Sequence, residues 1–247
     1  HCRHVAAAAA RLGLACLLVL AGDDPGTRQG NLLLDALSGA RLVFVPKARR
    51  DEGLREQFER AQVEGREPYL IPYGGSNAIG AQGYAQAMRE LAEQGVAPDW
   101  IVFASSSGGT QAGLVLGARQ TGFRGRILGI SVDEAASILQ TRVAGLVEQA
   151  AALRGENLTV APEEILVNDS YCKAGYGVLQ PSEIEAVRAF ARADGILLDP
   201  VYTGRAAAGL IDLIRAGFFR KDETVLFWHT GGTPALFAEP YASRLCE

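Results

Sequence analysis

A chain of 247 residues and 26.2 kDa fits one large domain or two small ones, and its 48% hydrophobic and 21% charged content excludes a disordered or fibrous protein. Twenty-four Lys and Arg against 28 Asp and Glu leave a formal charge of −4, so no basic excess exists to meet the phosphates of a nucleic acid. The strongly apolar run at residues 14–21 is far short of the ~20 residues that a membrane-spanning helix needs, and no membrane association is expected.

The first residue is His1, and a helical pattern is already under way in the alanine-rich stretch 5–10. The parts of a secretory signal cannot be assembled there, so the chain is expected to begin inside a domain and the protein to be cytoplasmic. Strands are then expected at 16–21, Arg41–Val45, 68–71, 100–104, Arg126–Ser131 and 224–229. Helical spacing lies between them, as in Tyr84, Met88 and Leu91 and in Leu210, Leu213 and Ile214. Ser182 with Glu185 resembles a capping box behind Pro181, and Gly217 supplies a later helix stop. This alternation of short apolar strands with helices predicts an α/β fold on parallel sheets. Pro72, Gly74 and Gly75 mark a boundary between residues 1–72, a remnant of a smaller lobe with about three strand–helix units, and residues 73–247, a larger lobe. Residues 151–162 read as a loop. Cys2, Cys16, Cys172 and Cys246 show no metal-ligand spacing with His1, His4 and His229, so no metal site is expected and the thiols read as incidental.

Four segments could carry chemistry. In IVFASSSGGTQAG, an apolar strand runs into Ser105, Ser106, Ser107, Gly108, Gly109 and Thr110 and then into a helix. Glycines let backbone amides converge, and the helix start adds positive potential, which together suit a phosphate. It is neither a Walker loop nor a dinucleotide fingerprint, and on its own it fits a ligand-free polar turn equally well. The turn Gly74-Gly75-Ser76-Asn77 reads as a helix cap through Asn77. Tyr202 and Thr203 lie in a tight loop of LDPVYTGRA, where a phenol can donate a proton or orient a substrate, although a lone loop tyrosine more often serves packing. His229 opens HTGG at the carboxyl end of the last strand, where open parallel sheets bind ligands, although singly it reads as a satisfied core histidine.

Taken together, HCRHVAAAAARLGL, IPYGGSNAIGAQGY, SSSGGTQAGL, GYGV, LDPVYTGRA and HTGGTPALF occur in an order that resembles one family. This is the D-cysteine desulfhydrase and 1-aminocyclopropane-1-carboxylate deaminase family of pyridoxal-phosphate enzymes, with the two-lobed, tryptophan-synthase-β-like fold (fold type II). The resemblance implies a cofactor phosphate at Ser107, Gly108, Gly109 and Thr110, catalytic phenols at Tyr202 and Tyr176, and substrate contacts at His1 and Gly75. It also implies a partner for the pyridine nitrogen at Thr230 or, second, Thr203, where the deaminases carry a Glu. A neutral hydroxyl cannot hold that nitrogen protonated as a carboxylate does, which favours sulfide loss over cyclopropane opening. The implied function is α,β-elimination of D-cysteine to pyruvate, hydrogen sulfide and ammonia by a homodimer acting on a small amino acid. The alternatives are a deaminase, a lyase of a sulfonated cysteine, or a non-catalytic truncated remnant. The family's cofactor-holding lysine is expected upstream of His1, because Lys47, Lys173 and Lys221, the only lysines beside 21 arginines, stand in other contexts and leave the chain inactive alone. Arg205 stands where desulfhydrases often have Lys and reads as a surface exchange.

Overall fold

The computed structural model describes residues 1–246. The chain divides into two compact units, one made of His1–Gly75 with Phe237–Ala242 and the other of Ser76–Leu236 with the residues from Ser243 onward. Among the described residues no helix is long and apolar enough to cross a membrane.

The first unit holds α1 (Cys2–Arg11), β1 (Leu17–Ala21), α2 (Gly30–Leu37), β2 (Arg41–Val45) and α3 (Arg50–Val63). The alanines of α1 favour helix with little entropic penalty, and Ala6 is its buried residue. β1 and β2 pair in parallel, Leu17 opposite Arg41 through Ala21 opposite Val45. The strand expected at 68–71 does not form, and those residues run as irregular chain. Pro68 and Pro72 bracket them and have no N–H to give a ladder. The unit therefore has two strands rather than three.

The second unit holds α4 (Ala78–Glu93), β3 (Trp100–Ser105), α5 (Gly109–Thr121), β4 (Arg126–Ser131), α6 (Ala136–Ala152), β5 (Leu166–Asn168), α7 (Pro181–Asp194), α8 (Thr203–Arg215) and β6 (Val225–Phe227). Its sheet is wholly parallel, in the order β5-β4-β3-β6. β3 is buried along its whole length, as expected of a strand covered on both faces. Ile101 and Phe103 pack with Met88, Leu91 and Leu114 of α4 and α5. From the opposite face of the pleat, Ile130 meets α8 at Gly209. Gly113 lets α5 press onto α4, because a Cβ there would lie 2.2 Å from the Ala81 carbonyl oxygen. That close approach fixes the start of α5 beside the start of α4.

Two local expectations are corrected. The capping box at α7 joins Gln180 and Glu183, with the Gln180 amide donating to Glu183 Oε2 at 2.8 Å. Ser182 and Glu185 do not form it; Pro181 is the first helical residue, and Glu185 pairs with Arg215 in solvent. β5 was not foreseen, because three residues are too few to show a period. Gly217 does follow the end of α8, with φ at 71°.

Candidate active site

The carboxyl ends of β3, β5 and β6 feed the loops that carry the residues of interest, as open parallel sheets do around a ligand. β3 ends at Ser105, and the chain turns through Gly108, the N-cap of α5, at φ 93°. That left-handed conformation suits glycine. No acidic residue stands in the first turn of α5, so the positive end of the helix is not neutralised from within. The Gly109 amide donates to Ser76 Oγ at 2.9 Å, and Ser76 Oγ donates to Ser107 Oγ at 2.7 Å. Arg142 of α6 donates to the Ser106 carbonyl at 3.1 Å and pairs with Glu134. Beneath the loop, buried Ser105 donates to Gln111 Oε1, whose amide donates to the Leu166 carbonyl at 2.8 Å. Amides, the hydroxyls of Ser107 and Thr110, and an uncancelled helix dipole form a donor set that fits a phosphate dianion. The loop is backbone-tight, since a Cβ on Gly109 would lie 2.6 Å from Ser76 Oγ.

A second cluster surrounds Asp199, which is buried. Its Oδ2 accepts the Val201 and Tyr202 amides at 2.8 Å each, and its Oδ1 accepts the Thr203 amide and hydroxyl at 2.7 Å each. These bonds fix Tyr202 at the entry of α8. The phenol of Tyr202 meets that of Tyr176 at 2.6 Å, with the rings edge to face at 5.8 Å. Upstream on the Tyr176 loop, Tyr171 donates to Asp212 at 2.6 Å. Burial, with that bond in support, pushes the Tyr171 phenol well above its ordinary value. Thr203 cannot serve as a partner for a cofactor ring: it is fully buried and its hydroxyl is consumed by Asp199.

In the last loop Thr230 is half-buried. Gly232 sits so close to Asp199 that a Cβ would lie 2.6 Å from its Cγ. His229 is satisfied as expected but is exposed, not in the core, because it lies past the end of β6. The Gly231 amide donates to its Nδ1 at 2.9 Å, which leaves the Nε2 proton for the Leu197 carbonyl at 3.0 Å. In the first unit, the His1 ring lies against Gly75, where a Cβ would be 2.6 Å from His1 Cε1. Asn77 caps α4 by accepting the Gly80 amide at 2.8 Å. Lys47, Lys173 and Lys221 are all exposed.

Arg205 is not a surface exchange. It is wholly buried and pairs with Glu183 Oε1 at 2.8 Å. Sequence reasoning also missed Ser76, Arg142 and Asp199. Asp199 left a signal, since an Asp followed by Pro and a Thr four residues on is a local capping pattern. Ser76 and Arg142 left none, because their partners in the loop after β3 are more than 30 residues away in the chain.

Residues 1–231 match the family described as pyridoxal-phosphate dependent enzyme. The solved structure of an ACC deaminase homologue superposes with a TM-score of 0.85 at 37% identity, covering 97% of this chain and 72% of that one. A fungal L-serine ammonia-lyase from Rhizomucor miehei superposes at 0.65 with 16% identity, covering 98% of this chain and 77% of its own. A hydrogen sulfide-producing enzyme from Fusobacterium nucleatum superposes at 0.61 with 14% identity, covering 94% and 74%. The last two likenesses are of fold alone.

Proposed function

The chain belongs to the pyridoxal-phosphate-dependent enzymes, and on that premise we propose a lyase that eliminates sulfide from D-cysteine, giving pyruvate, hydrogen sulfide and ammonia with uptake of one water. The bound cofactor supplies an electron sink conjugated to the substrate Cα. Its phosphate would be held by the amides at the start of α5 with the hydroxyls of Ser107 and Thr110. That donor set fits a dianion; glycine at 108 supplies the left-handed turn that opens α5, and glycine at 109 lets Ser76 close onto the loop.

Tyr202 and Tyr176 share one short hydrogen bond, so either phenol can hand on a proton while the other accepts. Such a pair suits protonation of a departing thiolate. Thr230 would be the neutral partner of the ring nitrogen in this reading. The observation that carries the preference for sulfide loss is the Asp199 cluster. The position where the deaminases carry a Glu is Thr203, turned inward, and the one carboxylate beside it already accepts four hydrogen bonds. No acid there is free to hold a pyridine nitrogen protonated.

The 37% identity to an ACC deaminase homologue favours a second reading, ring opening of 1-aminocyclopropane-1-carboxylate. The protein expressed from its intact gene should release sulfide and pyruvate from D-cysteine and little 2-oxobutanoate from 1-aminocyclopropane-1-carboxylate. The reverse ranking would overturn the proposal in favour of the deaminase.

A further inference from the structure

Arg205 is the largest of the fully buried side chains among the described residues. Its guanidinium uses four N–H bonds. Nε donates to Glu183 Oε1 at 2.8 Å, Nη1 to the carbonyls of Val132 at 2.6 Å and Gly175 at 3.0 Å, and Nη2 to the Val178 carbonyl at 2.8 Å. Two of these acceptors flank Tyr176 on either side. The segment between them joins neither helix nor strand, and Gly175 and Gly177 both take positive φ. A buried cation is costly, and an apolar side chain of like volume often holds a fold as well. What an apolar residue cannot do is aim planar donors at both carbonyls of one loop.

The other phenol is fixed from the same helix. Tyr202 is set by Asp199 at the entry of α8, and Arg205 lies in the first turn of α8. The first turn of α8 therefore holds both tyrosines, one through its own backbone and one through a guanidinium.

We propose that Arg205, braced by Glu183, is a positioning residue that fixes the loop at 175–178 so that the Tyr176 phenol meets that of Tyr202. The inference rests on the reading of this pair as the proton-transfer group. The conservative Arg205→Lys keeps the charge beside Glu183 but has three donors in place of four fixed bonds. Arg205→Met removes the clamp.

Hydrogen exchange read by mass spectrometry on the intact protein tests the clamp without turnover. In Arg205→Lys the amides at 175–178 should exchange about 10-fold faster or more, the loss expected for one charge-assisted bond. The β3 amides should stay unchanged, and Arg205→Met should exceed Lys. Equal protection of 175–178 in wild type and Arg205→Lys would overturn the proposal, and this arm stands even if Arg205→Met fails to fold. Steady-state kinetics test the path through Tyr176. Arg205→Lys should lower kcat with affinity for pyridoxal phosphate retained, and Tyr176→Phe/Arg205→Lys should be no slower than Tyr176→Phe alone. Additive losses would overturn it. A wild-type protein that turns over neither substrate would refute the lyase reading instead, leaving the exchange result to decide the clamp.

Discussion

Gly108→Ala is the most direct perturbation of the phosphate cradle, and its size follows from two features. The residue sits at φ 93°, where an L side chain costs about 1–2 kcal/mol. The new methyl would also lie 3.1 Å from Val143 Cγ2 and 3.5 Å from Leu146 Cδ1. It therefore points at α6 rather than at a bound phosphate. The loop must move away from α6, carrying the Gly109 amide off its bond to Ser76. For a chain of this size, about 1–2 kcal/mol lowers the melting temperature by about 2–8 °C. Titration with pyridoxal phosphate and with pyridoxal separates this from general damage. Affinity for the phosphorylated compound should fall about 10-fold or more, as for the loss of one charge-assisted hydrogen bond, while pyridoxal affinity stays. Equal losses for the two compounds, or a variant that melts and binds like the wild type, would refute the assignment of the loop as a phosphate site.

Tyr202→Phe removes half of the 2.6 Å phenol pair and should lower kcat by about 10²–10⁴ with cofactor affinity unchanged, checked by sulfide release and by titration. Thr203→Val leaves Asp199 short of a donor and should lower stability by about 1–3 kcal/mol in denaturant unfolding, with turnover near wild type after refolding. Thr230→Ala should do the opposite, lowering turnover while stability holds; swapped outcomes would reassign the ring-nitrogen partner. Asp35 of α2 is buried with one carboxylate oxygen unbonded, and burial raises its affinity for a proton. A raised folded-state value adds stability in acid that is lost as pH rises through it. Asp35→Asn should therefore raise the melting temperature near neutral pH, with the gain shrinking as pH falls toward the ordinary carboxylate range of about 4. A constant gain across that range would refute it.

The fold was legible where the pattern was local and repeated. β2 and β4 match the apolar runs residue for residue, and α1 follows from its alanines. The run at 68–71 misled because apolar content without donors for a ladder reads like a strand while two prolines prevent one. The capping box was displaced by two residues because Ser182-x-x-Glu185 and Gln180-x-x-Glu183 overlap in sequence. The chain takes the second register because Pro181 sits best at the first helical position.

Arg205 shows why the site was only half legible. In sequence it is one arginine among 21, two positions beyond a motif whose hydroxyl and phenol draw the eye. Nothing local marks it as buried, since its acceptors lie 73, 30, 27 and 22 residues away. Thr203 misled for a different reason: its place in a binding motif suggests an outward hydroxyl, while Asp199 only four residues back draws it into the core. A test of substrate choice by Thr203→Glu is thereby spoiled. The new carboxylate would be forced against Asp199 in a site with no room for charge, and like charges so placed raise one another's proton affinity and strain the fold. Loss of desulfhydrase activity in that variant would report damage to the α8 entry, not chemistry at the ring. Thr230, half-buried on a loop outside the Asp199 cluster, is the position where an introduced carboxylate can test the electron sink without dismantling the tyrosine pair.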